Sequence, residues 1–98
     1  MNLQEAAEAL KSRIRDKTPL GGTLKFDLGD STALFIDGSG PNNVVNMNNG
    51  FADCTISMSA DDFSELIAGR LHPTTAYMQG KLKIDGDMGV AMKLSQLV

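Results

Sequence analysis

The sequence predicts a single α+β domain over residues 1–98, with five strands in an antiparallel sheet and helices packed on its apolar face. Short segments that alternate between apolar and polar side chains are separated by turns rich in Gly, Pro and Asn. Amphipathic segments with helical spacing lie at both ends of the chain and between the fourth and fifth predicted strands. The 98 residues are enough for one domain and too few for two.

The first third of the chain predicts a helix followed by a β-hairpin. Leu3–Asp16 forms the helix, because its apolar residues recur at helical spacing until Pro19 and a Gly pair end the pattern. Thr23–Leu28 and Thr32–Asp37 form the strands, joined by a turn at Gly29-Asp30. The centre of the second strand is apolar on both faces, and we favour Leu34 and Ile36 as its inward residues.

The middle of the chain predicts two more strands and two helices. Val44–Asn48 is a weak strand, and Asp53–Ser59 alternates with Cys54, Ile56 and Met58 on one face. Ser59 has the position of a helix N-cap, and the helix that follows ends at Gly69. Thr74–Gln79 predicts a short helix after the break at His72-Pro73.

The segment Gly80–Leu94 organises the rest of the chain. Leu82 and Ile84 share one face of a strand, Asp85-Gly86 predicts a turn, and Asp87 has the position of an N-cap. The helix after it carries Met88, Ala91 and Met92 at helical spacing, followed by a tail over residues 95–98. Methionine is flexible, so these side chains either fill gaps in the core or close an apolar cavity with adjustable contents.

Composition excludes several classes of protein. The net charge is −3 and the basic residues are dispersed, which argues against a nucleic-acid surface. A single cysteine excludes an intramolecular disulfide and a cysteine-rich metal site. The chain has neither an apolar run of membrane-spanning length nor a signal-peptide core at its N-terminus, so we expect a cytoplasmic protein.

Few residues are candidates for catalysis. His72 lies in a loop before a proline, and Cys54 falls on the apolar side of its strand, with no neighbour in sequence that would lower its pKa. The carboxylates Asp61, Asp62 and Glu65 are typical of the first turns of a helix, where the helix dipole favours negative charge. An enzyme is therefore the weaker class, and an apolar pocket that binds a ligand is the stronger one.

The sequence also resembles a known family, the sterol carrier protein type-two domain of nonspecific lipid-transfer proteins. The resemblance is contiguous from Asp53 to Leu94 and general from Leu3 to Asn48. The segments that carry it are Asp53–Ser59, Asp62-Phe63, Leu66–Gly69, His72-Pro73, Ala76–Ile84, Gly86–Gly89 and Ala91–Leu94.

This resemblance implies a five-stranded, mostly antiparallel sheet with helices covering one face. It also implies a non-catalytic carrier that holds lipid in an apolar tunnel between sheet and helices. Fatty acid, fatty acyl-CoA, sterol and phospholipid are the ligands it implies, with no cofactor or metal. Peroxisomal members end in a small-basic-Leu tripeptide, whereas this chain ends Gln96-Leu97-Val98, which favours a stand-alone bacterial-type member in the cytoplasm. The chain is short for the family, so we expect an acyl chain rather than a sterol. Its acidic charge balance predicts at most transient contact with anionic membranes.

The ligand-binding residues that we predict come from both the strands and the helices. They are Phe26, Ile56, Met58, Phe63, Ile67, Tyr77, Met78, Ile84, Met88 and Met92. The alternative is a protein-interaction module, in which the same methionine-rich helix face docks to an enzyme of lipid metabolism. A divergent enzyme that uses Cys54 or His72 is a third hypothesis.

Overall fold

The computed structural model describes residues 3–14, 17–29, 32–47 and 50–97, in which four helices accompany a five-stranded sheet. The elements follow the predicted order along the chain. They are α1 (Leu3–Ile14), β1 (Thr23–Asp27), β2 (Ala33–Asp37), β3 (Val44–Asn46), β4 (Cys54–Met58), α2 (Ala60–Ile67), α3 (Pro73–Met78), β5 (Leu82–Gly86) and α4 (Met88–Leu97).

The sheet has the strand order β3-β2-β1-β4-β5 and is mostly antiparallel, as predicted. One pair differs: β1 and β4 are parallel. After β1 the chain forms a hairpin with β2 and then adds β3 at the edge beyond β2. It then crosses back past β2 and β1, so that β4 lies on the side of β1 opposite to β2. Lys25, whose side chain points away from the core, donates from Nζ to Gly50 O (3.2 Å) and holds this returning segment against the sheet.

One face of the sheet is continuously apolar and forms the core with the helices. The registers align Leu34 with Phe26 and Ile36 with Leu24, so both residues favoured as inward do point to the core. Ala33 and Phe35, on the opposite face, are also buried, which explains why alternation alone could not decide the orientation of β2. Buried residues of all four helices belong to the same cluster as these strand residues.

Several predicted boundaries are confirmed to within one or two residues, and some lie outside the described ranges. Ser59 caps α2, where its Oγ accepts a hydrogen bond from Asp62 N (3.0 Å). Asp87 caps α4, since its Oδ1 accepts from Gly89 N (2.8 Å). The predicted end of the first helix (residues 15–16), one residue of the hairpin turn (Asp30) and the end of the third strand (Asn48) fall outside the described residues.

Two predictions about the C-terminal segment are wrong. Asp85 and Gly86 do not form a turn, because both pair with β4 and prolong β5. The predicted tail is also helical, since α4 continues to Leu97. In both places the strand or helix extends beyond the end that the local sequence pattern predicted. Val98 lies outside the described residues.

Gly86 is required by a close approach of two backbones. Its φ is +113°, and an added Cβ would collide with Asp53 O and lie 3.1 Å from Cys54 Cα. We expect Gly86→Ala to reduce the free energy of unfolding by about 1–3 kcal/mol or more. Gly40→Ala is the control, since its Cβ would meet nothing within 4 Å. Urea denaturation of the two variants would show this difference, and equal stabilities would contradict it.

Candidate functional site

A cavity of about 150 Å³ lies between the sheet and the helices, next to β5. Strands β1, β4 and β5 supply one wall, and helices α2, α3 and α4 supply the other, with the segment around Pro73 at the edge. The surface is almost wholly apolar. Its lining residues are Phe26, Ile56, Leu66, Pro73, Thr74, Tyr77, Leu82, Ile84, Met88, Ala91, Met92 and Leu94.

The floor of the cavity is rigid and belongs to the core. Phe26 is completely buried on the central strand, and Ile56 lies beside it on β4. The ring of Phe26 meets the ring of Phe63 on α2 edge to face, with 5.0 Å between the centroids. The cavity therefore begins where the packing of α2 against the sheet ends.

The rim of the cavity consists of exposed apolar side chains. Tyr77 on α3 is 53% exposed, and Met88 and Met92 on α4 are 50% and 63% exposed. Asp87 N donates to Asp53 O (2.8 Å), which ties the first residue before α4 to the start of β4. The backbone next to Met88 is thus anchored to the sheet, while the side chain of Met88 is half exposed and of a flexible type.

The structure brings six of the ten predicted ligand-binding residues together around this cavity: Phe26, Ile56, Tyr77, Ile84, Met88 and Met92. The other four lie elsewhere. Met58, Phe63 and Ile67 are buried in the core, whereas Met78 is 80% exposed and off the cavity wall. Ligand binding by any of the ten remains a prediction.

The cavity wall also contains residues that the sequence-based prediction omitted. They are Leu66, Pro73, Thr74, Leu82, Ala91 and Leu94. A signal for three of them was present: Leu82 shares the face of Ile84, Leu66 shares the stripe of Phe63, and Ala91 follows Met88 at helical spacing. Nothing in the local pattern separates cavity wall from solid core, because both require the same apolar side chains.

The candidate catalytic residues have ordinary structural surroundings. His72 is exposed at the N-cap position of α3 and makes no capping bond with its side chain. Burial raises the pKa of the Cys54 thiol, and the negative charges of Asp87 and Asp85 raise it further. Asp61 and Asp62 lie in the first turn of α2, as expected from the helix dipole.

Glu65 is engaged by Arg70 rather than by a reaction centre. Arg70 Nε donates to Glu65 Oε2 at 2.6 Å, and this bond lowers the pKa of the carboxyl group. The pair is largely exposed, so it adds little to stability. Within the described ranges, no three His, Cys, Asp or Glu residues are grouped in a way that could hold a metal ion.

An α+β fold with an apolar cavity between sheet and helices is an arrangement found in proteins that bind small hydrophobic ligands. The model of the SCP-2 sterol transfer family matches residues 3–98, and the chain belongs to that family. In the part of the chain that the structure describes, no helix is long and apolar enough to cross a membrane.

Individual relatives agree with this assignment. The chain is 38% identical to sterol carrier protein 2 of Gallus gallus over 101 residues, which cover 97% of this chain and 17% of that protein. The solution structure of sterol carrier protein domain 2 of Helicoverpa armigera has a TM-score of 0.68 and 30% identity, covering 97% of this chain and 80% of that one. Palmitated SCP2L2 from Aedes aegypti has a TM-score of 0.72 and 20% identity, covering 98% and 93%.

The chain spans only a small part of the curated relatives it matches, between 8% and 17% of the length of the first four.

The thiol of Cys54 should be inert while the protein is folded. The side chain is fully buried and its pKa is raised, so little thiolate forms near neutral pH. We expect a thiol reagent such as dithionitrobenzoate to react with one equivalent only after denaturation. Rapid reaction of the native protein at pH 7–8 would contradict this expectation and would support the hypothesis of a reactive cysteine.

Proposed function

We propose that this chain binds a long apolar ligand in the cavity beside β5 and carries it as a non-catalytic lipid carrier. The preferred ligand is a fatty acyl chain, as a free fatty acid or a fatty acyl-CoA, rather than a sterol. The observation that carries this proposal is an almost wholly apolar cavity with a rigid floor and a rim of two exposed methionines. Membership of a sterol transfer family supports the lipid class.

The size of the cavity favours an acyl chain. A cavity near 150 Å³ holds a molecule about the size of benzene, and drug-sized ligands need roughly 300 Å³ or more. A rigid sterol would have to displace several walls at once. An acyl chain is narrow and flexible, so it can enter the existing space and push aside Met88 and Met92.

The driving force in this proposal is removal of hydrocarbon from water. Each buried methylene contributes about 0.8 kcal/mol, from which the cost of ordering the ligand must be subtracted. A few methylenes in the cavity are therefore not enough for tight binding. The remainder of the acyl chain of the ligand must lie against the apolar rim of Tyr77, Met88 and Met92.

A second candidate function uses the same surface. Met78 is 80% exposed and lies outside the cavity wall, although it is close in sequence to Tyr77 on the rim. This supports the alternative of a module that docks to an enzyme of lipid metabolism through its methionine-rich helix face. The lipid-carrier proposal includes carriage in the cytoplasm and at most transient contact with membranes.

Native mass spectrometry of the purified protein, followed by solvent extraction, tests whether the cavity holds a lipid. We expect one added mass that corresponds to a fatty acid or an acyl-CoA. A protein that carries no added mass and also fails to take up a fluorescent fatty acid would contradict the carrier proposal. A sterol in the extract would contradict the preference for an acyl chain.

Substitution at the rim tests which surface binds the ligand. Met88→Glu places a charge at the cavity, and we expect a loss of affinity for a fluorescent fatty acid of tenfold or more with little change in stability, since Met88 is half exposed. Met47→Glu is the matched control, because Met47 is 54% exposed and lies outside the cavity wall. Equal binding by both variants and the wild-type protein would exclude Met88 from the site.

A further inference from the structure

Strand β5 and its flanking residues carry an ordered row of charges. Lys81, Lys83, Asp85 and Asp87 occupy alternate positions, so that two positive charges are followed by two negative ones. The register with β4 places Lys83 opposite Ser57 and Asp85 opposite Thr55, on the face of the sheet away from the core. Both side chains are exposed, and neither forms an ion pair with another described residue.

The same strand lies at the edge of the sheet, next to β4 and with no further strand beyond it in the described structure. An edge strand presents unpaired N–H and C=O groups, and a row of like charges usually prevents a second copy from pairing there. The charges along β5 are of both signs and therefore favour such pairing. The order is Lys, Lys, Asp, Asp in the forward direction and Asp, Asp, Lys, Lys in the reverse direction, so an antiparallel second copy can present the opposite charge at each position.

Only one antiparallel register of two β5 strands satisfies all the charges. With the two-fold axis at Ile84, Lys83 of each copy faces Asp85 of the other. Lys81 and Asp87 flank the strand, and the same register brings the Lys81 end of one copy beside the Asp87 end of the other. An axis at Lys83 would place Lys83 against itself, and an axis at Asp85 would place Asp85 against itself. An axis between residues would align the apolar face of one copy with the charged face of the other.

We propose that the chain forms a homodimer by antiparallel pairing of β5 with β5 about an axis at Ile84, which makes one continuous sheet across both copies. The interface is isologous, so each opposite-charge pair occurs twice. Ile84 is half-buried and lines the cavity, so the two cavities lie on the same face of the joined sheet, near the axis. The proposal does not depend on the chemistry of the ligand.

Charge reversal at the edge tests this arrangement by sedimentation velocity over a range of protein concentrations. We expect wild-type protein to dimerise with increasing concentration, and Lys83→Asp or Asp85→Lys alone to weaken the dimer at least tenfold, since each creates like-charge pairs across the axis. The double variant Lys83→Asp/Asp85→Lys restores opposite charges and should dimerise as the wild type does. Circular dichroism checks that these exposed substitutions leave the fold intact.

Two further measurements make the test specific for this register. The single variants should form a heterodimer when mixed, because each then supplies the charge that the other lacks. Lys17→Asp is the control for net charge, since Lys17 follows α1, which packs against β3 at the opposite edge of the sheet. It should leave the dimer unchanged.

Three results would overturn the proposal. The first is a wild-type protein that stays monomeric up to about 1 mM. The second is a dimer that is insensitive to both single reversals, which would place the contact elsewhere, for example at the exposed methionines. The third is a failure of both the double variant and the mixture to recover the dimer lost by correctly folded single variants.

Discussion

The packing of Phe26 against Phe63 is the contact on which the rest of this structure depends. Phe26 lies on the central strand of the sheet, and its edge-to-face contact with Phe63 fastens α2 over the apolar face. Phe26 also lines the cavity. One fully buried side chain thus belongs to the hydrophobic core and to the floor of the candidate site.

The site combines a rigid half with an adjustable half. Strand residues hold the floor, because neighbouring strands fix their positions through backbone hydrogen bonds. The rim comes from α3 and α4, whose methionines and tyrosine remain half exposed. A protein that binds flexible apolar ligands needs this division, since the floor of the cavity sets where the ligand enters and the rim adapts to the length of ligand that is bound.

The parallel pairing of β1 with β4 decides where both proposed functional surfaces lie. Because the chain crosses from β3 to the far side of β1, β4 and β5 extend the sheet at the edge opposite β3. Strand β5 therefore contributes Ile84 to the cavity on one face and Lys83 with Asp85 to the outer face. A proposed ligand site and a proposed dimer contact share one strand because its two faces have different chemistry.

The sequence by itself determined the order of the elements, the inward residues of β1, β4 and β5, and both caps, at Ser59 and Asp87, because these depend on the alternation of neighbouring side chains and on local hydrogen bonds. The orientation of β2 could not be determined in this way, because its centre is apolar on both faces. It also indicated the family, through contiguous motifs. It could not assign Gly86, whose conformation is imposed by the backbone of β4 beside it. Nor could it separate Met58 and Phe63, which lie in the core, from Met88 and Met92, which line the cavity. Only the tertiary structure decided that, because core and cavity wall use the same apolar side chains and differ only in whether distant elements close the space between them.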